Sequence, residues 1–409
     1  MLLIVLIIFF LLPPAVYAGW EYTAPMPTAR EGLAVAAVGG KIYAIGGKNH
    51  SGYNALDIVE IYNTSTHNWI PGPPLHHRRI YAAAAVYNGK IFVFGGRDGM
   101  WMVNQVEMLD PAFGYWVEVG DMCSREGLSA TTMGDSIIVL GGKINQWSYS
   151  ASADIYDPIN MAWNGGLPNY PIPRAGHGGA AMGDSLFIIG GVSYWMMDDV
   201  SIFDGYAWQN GPNLPFPLGN TGAAVIGDCI YVVAGNTGWG GSTKKVLKRS
   251  FAVSGWMETD SLNTARDYHG VVAWEEKLYA IGGGYGNFDN RIYLASVEML
   301  DLTNAVQPPA ANNDNTYTLS ISNYPNPFSR YTNIVINLGT PELTDQPVII
   351  YDILGREIMR WNTPAWRNGN LCLNWDGADS FGHSLPSGVY FLQIKMNSGQ
   401  LTGKISIVR

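Results

Sequence analysis

The chain has little charge, no basic excess and few cysteines. Charged residues make up 14% of its 409 residues, and the formal net charge is −9. A surface of this sign has no surplus of Lys and Arg to neutralise phosphates, which argues against nucleic acid and anionic membranes as partners. Neutral or cationic ligands fit this charge balance better.

Cysteine frameworks and metal patterns are also missing. Cys123, Cys229 and Cys372 are odd in number and far apart, so we interpret them as packed thiols. His76 and His77 come nearest to a metal site. Adjacent residues point in different directions, however, and no cysteine or carboxylate completes the set. We expect neither a metal nor another cofactor.

The sequence lacks the common catalytic signatures. It has no GxSxG elbow, no HExxH pair and no glycine loop followed by Lys that would bind phosphate. Nothing in the motifs therefore gives positive evidence for an enzyme.

Long hydrophobic runs are confined to residues 1–18, MLLIVLIIFFLLPPAVYA. Small residues precede Gly19 as a signal peptidase requires, which predicts a cleaved signal peptide. The run has no early Lys or Arg, so an uncleaved anchor is the alternative. Pro13 and Pro14 argue against a stable membrane-spanning helix there, as does the short length of the run.

Glycine and aromatic residues are abundant instead, with 49 Gly, 14 Trp and 23 Tyr. This mixture is typical of short strands and tight turns and favours an all-β chain. Diglycines follow short apolar strands at intervals of 44 to 49 residues, the period of a β-propeller. The six positions are Gly46 and Gly47, Gly95 and Gly96, Gly141 and Gly142, Gly190 and Gly191, Ala234 and Gly235, and Gly282 and Gly283.

A tryptophan follows each of the first five diglycines, at Trp69, Trp116, Trp163, Trp208 and Trp256. The sixth unit ends without one. Trp20 stands ten residues before Arg30, as Trp69 stands ten before Arg79. We therefore expect the segment GWEYTAPMP to supply the outermost strand of the last blade, which closes the ring and hides its edges.

These features together resemble the Kelch family, whose repeat has a diglycine after its second strand and a tryptophan on its fourth. The resemblance covers residues 19–303 and implies a six-bladed Kelch β-propeller. It is specific because six units agree in spacing and in several features, although the fifth has Ala234 in place of a glycine. Both repeated features support the fold rather than a function.

A second domain is expected after the linker at 304–316, NAVQPPAANNDNT. Short alternating runs in residues 317–409 predict a small immunoglobulin-like β-sandwich. The phrases SNYPNPFS, VIIYDILGREI and WDGADSFGHSLPSGVYFLQI resemble the C-terminal sorting domain of type IX secretion (Por) cargo. This implies export across both membranes to the medium or the cell surface, with the secretion machinery as a partner. A retained accessory sandwich is the alternative.

Five repeat arginines lie sixteen residues before the diglycines, and the fifth unit has Leu218 there. In propellers that resemble this one, such arginines project near the central channel, where pooled guanidinium groups suit carboxylates or polar ligands. Alternatively, each arginine caps its own blade turn. Residues next to them are further candidates for lining the mouth. The ligand-binding candidates are Arg30, Arg79, Arg125, Arg174 and Arg266, with Tyr81, His177, Tyr268 and His269.

Aromatic segments follow three of the diglycines, in GMWMVNQ, NQWSYS and SYWMMDD. They are expected in the loops that join the second and third strands. If the rings are exposed there, they form a recognition surface; if they pack against the neighbouring blade, they are structural.

Two hypotheses on function remain open. The first is an exported, monomeric, non-catalytic propeller that binds a protein or glycan at the cell surface. The second is a carbohydrate-active enzyme, because the Kelch fold is shared with sialic acid mutarotases and related copper oxidases. No copper-ligand set can be placed here. A mutarotase-like site would need arginines beside Glu31, Glu126 or Asp267, and Arg174→Ala or Arg266→Ala would then abolish turnover.

Overall fold

The structure is a computed structural model that describes residues 19–50, 54–238, 241–250, 255–303, 320–324, 332–337, 347–362, 370–396 and 399–408. The expected signal peptide at 1–18 and the expected linker at 304–316 lie outside the described residues. No helix in the described part of the chain is both long and apolar enough to cross a membrane.

Six four-stranded antiparallel sheets occupy the described residues up to Asp301. The last sheet is completed by the first strand of the chain, β1 (Glu21–Thr23). The first three sheets comprise β2 (Ala34–Val38), β3 (Lys41–Ile45), β4 (Val59–Asn63) and β5 (Asn68–Pro71); β6 (Ala83–Tyr87), β7 (Lys90–Phe94), β8 (Gln105–Asp110) and β9 (Tyr115–Asp121); β10 (Ser129–Met133), β11 (Ser136–Leu140), β14 (Ala153–Asp157) and β15 (Ala162–Leu167), with the hairpin β12 (Lys143–Asn145) and β13 (Ser148–Tyr149) between β11 and β14.

The other three sheets follow the same order from the centre outwards, and a single-turn 3-10 helix, Phe288–Asn290, lies in the last. Their strands are β16 (Gly178–Met182), β17 (Ser185–Ile189), β18 (Val200–Phe203) and β19 (Trp208–Asn210); β20 (Gly222–Ile226), β21 (Cys229–Asn236), β22 (Ser242–Ser250) and β23 (Met257–Thr259); β24 (Gly270–Trp274), β25 (Lys277–Ile281), β28 (Val297–Asp301) and β1, with the hairpin β26 (Gly284–Tyr285) and β27 (Ile292–Tyr293) between β25 and β28.

The innermost strands meet in a closed ring, because β2, β6, β10, β16, β20 and β24 each contact the next and β24 contacts β2. The fold is therefore a β-propeller built from six sheets, or blades, in the described residues. Small side chains let the strands converge, and alanines such as Ala37, Ala84 and Ala181 line a channel cavity of about 260 Å³. The second strands are almost wholly buried, which matches their apolar sequence.

Ring closure follows the expectation from Trp20. Glu21, Tyr22 and Thr23 pair with Met299, Glu298 and Val297, so the N-terminal segment forms the outer strand of the sixth blade. The Trp20 side chain is buried, and its Nε1 donates to the carbonyl of Asp260 at 2.9 Å.

The repeated tryptophans join neighbouring blades. Each indole Nε1 donates to a backbone carbonyl of the preceding blade or of the loop that leaves it, because the ring leans across the blade boundary. The acceptors are Ala24 for Trp69, Pro73 for Trp116, Asp121 for Trp163, Pro168 for Trp208, Pro212 for Trp256 and Asp260 for Trp20, at 2.6 to 2.9 Å.

The first glycine of each diglycine occupies a position that disfavours a side chain. Gly95 has φ +60°, and a Cβ there would lie 2.4 Å from the carbonyl oxygen of Arg125. L-residues avoid that conformation, and the neighbouring backbone leaves no room. The fifth blade tolerates Ala234 at φ +49°.

The described C-terminal strands form two sheets around one apolar core. Ile334 and Trp375 of one sheet pack in the same cluster as Ile350, Leu392 and Ile405 of the other, which makes a β-sandwich. The strands are β29 (Ser320–Tyr324), β30 (Thr332–Asn337) and β33 (Asn370–Trp375) in the first sheet, and β31 (Val348–Tyr351), β32 (Glu357–Trp361), β34 (Gly388–Met396) and β35 (Gly399–Ile407) in the second.

Candidate functional site

The five repeat arginines lie inside the blades, at 0% to 3% exposure. Each is in the loop that leads into the innermost strand. Arg79 Nη1 donates to the carbonyl of Gly95 at 3.1 Å, and Arg174 and Arg266 bond Gly190 and Gly282 in the same way at 2.9 Å. The sixteen-residue offset in the sequence therefore corresponds to a hydrogen bond from each of these three arginines to the carbonyl of the first glycine in its own blade.

Four of the arginines also meet a carboxylate on the third strand. Arg79 pairs with Glu107, whose oxygens accept the backbone N–H groups of His76 and His77 at 2.8 and 3.2 Å. The carboxylate thus holds the loop that the arginine enters. The other pairs are Arg30 with Glu60, Arg125 with Asp154 and Arg266 with Glu298.

The fifth blade replaces this pair by two apolar residues. Leu218 takes the arginine position, and Leu247, paired with Val232, takes the position that Glu107 holds opposite Val93. Both leucines are buried in one apolar cluster. A buried ion pair and a pair of packed aliphatic side chains are thus alternative ways to fill the same space.

The placement of the arginines corrects the expectation that they line the channel mouth. None of Arg30, Arg79, Arg125, Arg174 and Arg266 lines the cavity described below, and their contacts are those of the capping alternative. Their guanidinium groups are buried within the blade, so they are out of reach of a ligand in that cavity. Arg174→Ala and Arg266→Ala would accordingly test the fold rather than a site.

A ring of backbone hydrogen bonds surrounds the mouth of the channel, two residues after each arginine position. The N–H of Tyr81 donates to Gly32, Gly127 donates to Tyr81 and Gly176 to Gly127, at 2.7 to 2.8 Å. Three more backbone bonds complete the circle. The N–H of Thr221 donates to the carbonyl of Gly176, that of Tyr268 to Asn220, and that of Gly32 to Tyr268. The residues at this position have φ between +51° and +65°; they are Gly32, Tyr81, Gly127, Gly176, Asn220 and Tyr268.

Two tyrosines occupy positions where three other blades have glycine. Left-handed backbone costs an L-residue roughly 1 kcal/mol or more, and such strain concentrates at functional sites. The rings of Tyr81 and Tyr268 meet at a centroid distance of 5.0 Å, and a Cβ on Gly32 would lie 2.8 Å from Tyr81. The Tyr81 ring thus occupies the space beside Gly32 and packs against the ring of Tyr268.

A cavity of about 400 Å³ lies in this mouth, within the size range of small-molecule sites. The four sequence candidates Tyr81, His177, Tyr268 and His269 all line it, so the structure brings that part of the predicted set together. Its charged lining comes from Arg97, Glu126 and Lys143, which the arginine pattern did not single out as a group.

Glu126 is the most unusual of these groups. It is 7% exposed; Oε1 lies 3.4 Å from Arg97 Nη1, and Oε2 is buried without a hydrogen-bond partner. Burial raises the pKa of Glu126, although Arg97 and Lys143 oppose the shift. The corresponding acids of the first and sixth blades, Glu31 and Asp267, are instead both bound by Arg291.

The two histidines of the cavity are neutral at physiological pH. Burial lowers the pKa of His177 to about 3, and the nearby Arg174 and Arg125 contribute. Burial and Arg266 lower the pKa of His269 to about 3 as well. His177 Nε2 lies 3.0 Å from Ser129 Oγ, while its buried Nδ1 has no hydrogen-bond partner.

Five large apolar side chains form an exposed rim on the second, third and fourth blades. They lie in the loops between the second and third strands. Arg97 and Lys143 of the same loops line the cavity, which shows that these loops reach the mouth. Tyr149 connects the rim to the cavity, since it lines the cavity and lies 6.3 Å from Tyr194 between ring centroids. The rim residues, 69% to 80% exposed, are Met100, Trp101, Trp147, Tyr194 and Trp195.

The rim settles the alternative left open for these loops, because the rings are exposed rather than packed on a neighbouring blade. Within the described residues, no three His, Cys, Asp or Glu side chains are grouped so as to hold a metal ion. His77 Nε2 lies 2.9 Å from Glu118 in an ion pair outside the mouth.

Sequence reasoning missed the carboxylate partners of the arginines and the special position of Glu126. The first had a signal, since a Val-Glu or Ala-Asp step begins the third strand at Glu60, Glu107 and Asp154. The special position of Glu126 had no sequence signal. Glu31, Glu126 and Asp267 each follow a repeat arginine, and they differ only in the cations that contact them in the folded chain.

Comparison with known proteins divides the chain in the same way. Residues 32–235 match the model of the KLHDC2/KLHL20/DRC7 Kelch-repeats domain, and residues 265–306 match the Kelch motif. Residues 322–408 match the secretion system C-terminal sorting domain.

Similar curated proteins match part of the chain. Kelch-like protein 23 of Homo sapiens is 28% identical over 180 residues, 42% of this chain and 31% of that protein. Beta-scruin of Limulus polyphemus is 30% identical over 248 residues, which are 56% of this chain and 21% of that protein. Kelch-like protein terF of Aspergillus terreus is 29% identical over 212 residues, which are 48% of this chain and 45% of that protein. The chain thus spans less than half the length of these relatives.

Proposed function

We propose that this chain, which joins Kelch repeats to a secretion system C-terminal sorting domain, is an exported binding module that holds a protein or glycan at the channel mouth. The sorting domain assigns the chain to type IX export. The propeller then acts as a non-catalytic receptor, in the medium or at the cell surface.

The observation that carries this proposal is the exposed rim above the cavity. Trp101, Trp147 and Trp195 stand on three neighbouring blades at 69% to 75% exposure. Soluble proteins seldom leave large apolar groups clustered in water unless they meet a partner, and aromatic residues dominate the energetics of recognition surfaces. Three tryptophans beside a polar cavity therefore favour ligand binding at this face.

The chain offers a matched control on its opposite face. The hairpins between the third and fourth strands of the same blades expose Phe113, Ile159 and Tyr206 at 61% to 69%. Antiparallel strands place these hairpins at the far end of the blades from the mouth. Replacing this second triplet removes a similar amount of exposed apolar surface without touching the rim.

The test compares the secreted chain with two triple variants. Ligands are captured on glycan and surface-protein arrays by the wild type, by Trp101→Ala/Trp147→Ala/Trp195→Ala, and by Phe113→Ala/Ile159→Ala/Tyr206→Ala. We expect the rim variant to lose binding at least tenfold and the control variant to retain it. Equal loss in both variants, or capture unaffected by either, contradicts binding at the mouth.

A second candidate, a carbohydrate-active enzyme, is favoured by Glu126 alone. Its raised pKa and unpartnered oxygen suit a general acid that would protonate a sugar oxygen. Anomer interconversion and glycan cleavage are followed by NMR with the wild type and with Glu126→Gln. Turnover that Glu126→Gln abolishes supports the enzyme, and binding without turnover supports the receptor.

A further inference from the structure

We infer that the mouth cavity accommodates one neutral sugar ring of a glycan, with Glu126 and His177 as hydrogen-bonding anchors and Tyr81 and Tyr268 as the aromatic wall. The inference rests on the proposed function, since it names the ligand of the same face. It goes further in assigning a built site inside the cavity rather than a surface at the rim.

Unpartnered polar atoms give the cavity its ligand-binding character. Glu126 Oε2 is a buried carboxylate oxygen without a hydrogen-bond partner, although buried polar atoms in proteins are nearly always paired. His177 Nδ1 is in the same condition in a side chain that is 4% exposed. A ligand hydroxyl that donates to Glu126 and a second one that bonds His177 would satisfy both atoms.

The charges that line the cavity favour a neutral ligand. Arg97 and Lys143 stand beside Glu126 in one wall. An anionic group at Oε2 would meet the Glu126 carboxylate, and a cationic group would meet Arg97 and Lys143. Hydroxyl groups both donate and accept, so a hydroxyl-rich ring can bond each of the three without leaving a charge unpaired.

Two aromatic rings line the same cavity. Tyr81 and Tyr268 hold a left-handed backbone that Gly32, Gly127 and Gly176 hold without strain. Tyrosine is therefore kept at these two positions against its backbone preference, and the ring is what it adds to the cavity. The weakly polar C–H face of a sugar packs well on such a ring, while the hydroxyls at its edge reach the polar wall.

The rim continues the aromatic surface outwards. Tyr149 lies at the cavity edge, and Tyr194 and Trp195 follow, with ring centroids 6.3 Å and 6.2 Å apart along this path. A glycan with its terminal ring in the cavity would cross these rings as it leaves the mouth. We therefore expect oligosaccharides to bind more tightly than single sugars.

The experiment is isothermal titration of the secreted full chain with defined neutral hexasaccharides: cello-, xylo-, manno-, malto-, laminari- and chito-oligomers. The anionic trisaccharide 3′-sialyllactose serves as the charged comparator. At least one neutral hexasaccharide should bind, its monosaccharide about tenfold or more weakly, and sialyllactose no better than the monosaccharide. Failure of all six neutral hexasaccharides, or binding of sialyllactose alone, overturns the inference.

Two cavity variants make the assignment sharper. Glu126→Gln keeps the shape of the side chain, and we expect affinity for the neutral glycan to fall about tenfold because a charged acceptor is lost. Tyr81→Gly introduces the residue that three blades already have at this position, so the fold is retained. It should weaken binding by a similar factor. Tyr206→Ala on the opposite face is the control and should leave the affinity unchanged.

The outcomes separate this inference from the proposed function. If the rim triple variant loses binding while Glu126→Gln and Tyr81→Gly bind as the wild type does, the proposed receptor function stands and the sugar site in the cavity is contradicted. Capture of a surface protein at the rim, with no neutral glycan bound, also overturns the inference and leaves the proposed function standing. Loss of binding in neither set of variants contradicts both.

Discussion

At the scale of single residues, the propeller uses buried ion pairs to hold its blades and places other charged side chains at the cavity. Arg79 and Glu107 are both buried and bonded to each other and to backbone groups of their own blade. Glu126, one residue after an equivalent arginine, keeps an oxygen without a hydrogen-bond partner. The neighbouring cations therefore decide whether a carboxylate of the propeller is fully paired, as Glu107 is, or keeps an oxygen that a ligand could bind, as Glu126 does.

The fifth blade shows how the buried pair can be tested. Arg79→Leu leaves the Glu107 carboxylate buried without its cation, and we expect a loss of about 3–5 kcal/mol in the free energy of unfolding. Arg79→Leu/Glu107→Leu reproduces the Leu218 and Leu247 pair and should recover most of that loss. Urea denaturation of the three proteins measures the coupling. A double variant as unstable as the single one would contradict this account.

The raised pKa of Glu126 gives a dependence of stability on pH. Because the folded-state pKa lies above the ordinary value of 4.5, the unfolded chain releases this proton first as the pH rises. The folded state therefore loses stability between pH 4.5 and its own higher pKa, and Glu126→Gln avoids that loss. Calorimetry should find the variant more stable than the wild type at pH 7.

The two proteins should converge near pH 4, where the carboxyl is protonated in both states. A stability gap between Glu126→Gln and the wild type that stays constant from pH 4 to pH 7 would show that the carboxylate is not destabilised by burial.

At the scale of elements, ring closure depends on β1 and the tryptophan before it. Trp20 is buried in a cluster with Leu262 and Leu300, and β1 pairs with β28. Trp20→Ala should cost about 3–5 kcal/mol in the free energy of unfolding, as for other buried tryptophans. The measurement is chemical denaturation followed by circular dichroism.

Tyr22→Ala is the control for that measurement, because this neighbour lies on the same strand with its ring exposed. It should cost far less than Trp20→Ala. If the two substitutions cost the same, the tryptophan does not tie β1 to the preceding blade.

Much of the element order could be predicted from the sequence, because each blade repeats its own signals. The diglycines, the tryptophans and the displaced Trp20 are local features, and they identified the repeat and the closing strand. Tyr81 and Tyr268 were identified as residues near the mouth, yet their left-handed backbone could not be predicted. That conformation comes from the ring of inter-blade hydrogen bonds, which exists only after all the blades assemble.

The arginines show the limit of the same reasoning. A position repeated in five blades is equally consistent with five ligand-binding groups and with five caps. Only the partners distinguish the two, and the partner of Arg79 is Glu107, 28 residues further along the chain. The Val-Glu and Ala-Asp steps of the third strands are the sequence signal for these partners, and the fold shows that the arginine side chains turn inwards to meet them.

At the scale of the whole molecule, export and binding are assigned to separate parts of the chain. Deleting residues 317–409 should stop export and retain the chain inside the cell, while the purified product keeps the melting temperature and ligand affinity of the propeller. Cell fractionation and calorimetry measure the two properties. Deletion of 304–316 is the control, because the sorting domain is then intact and export should continue.

The closing strand has a consequence for the time at which the propeller becomes complete. Trp20 and its acceptor Asp260 are 240 residues apart, so an early segment of the propeller waits for one that is synthesised much later. Contacts so distant in sequence form slowly and leave strand edges unpaired until they do. The sixth blade therefore keeps an unpaired edge until β1 joins β28, and the propeller is complete only once the chain has been made as far as Asp301.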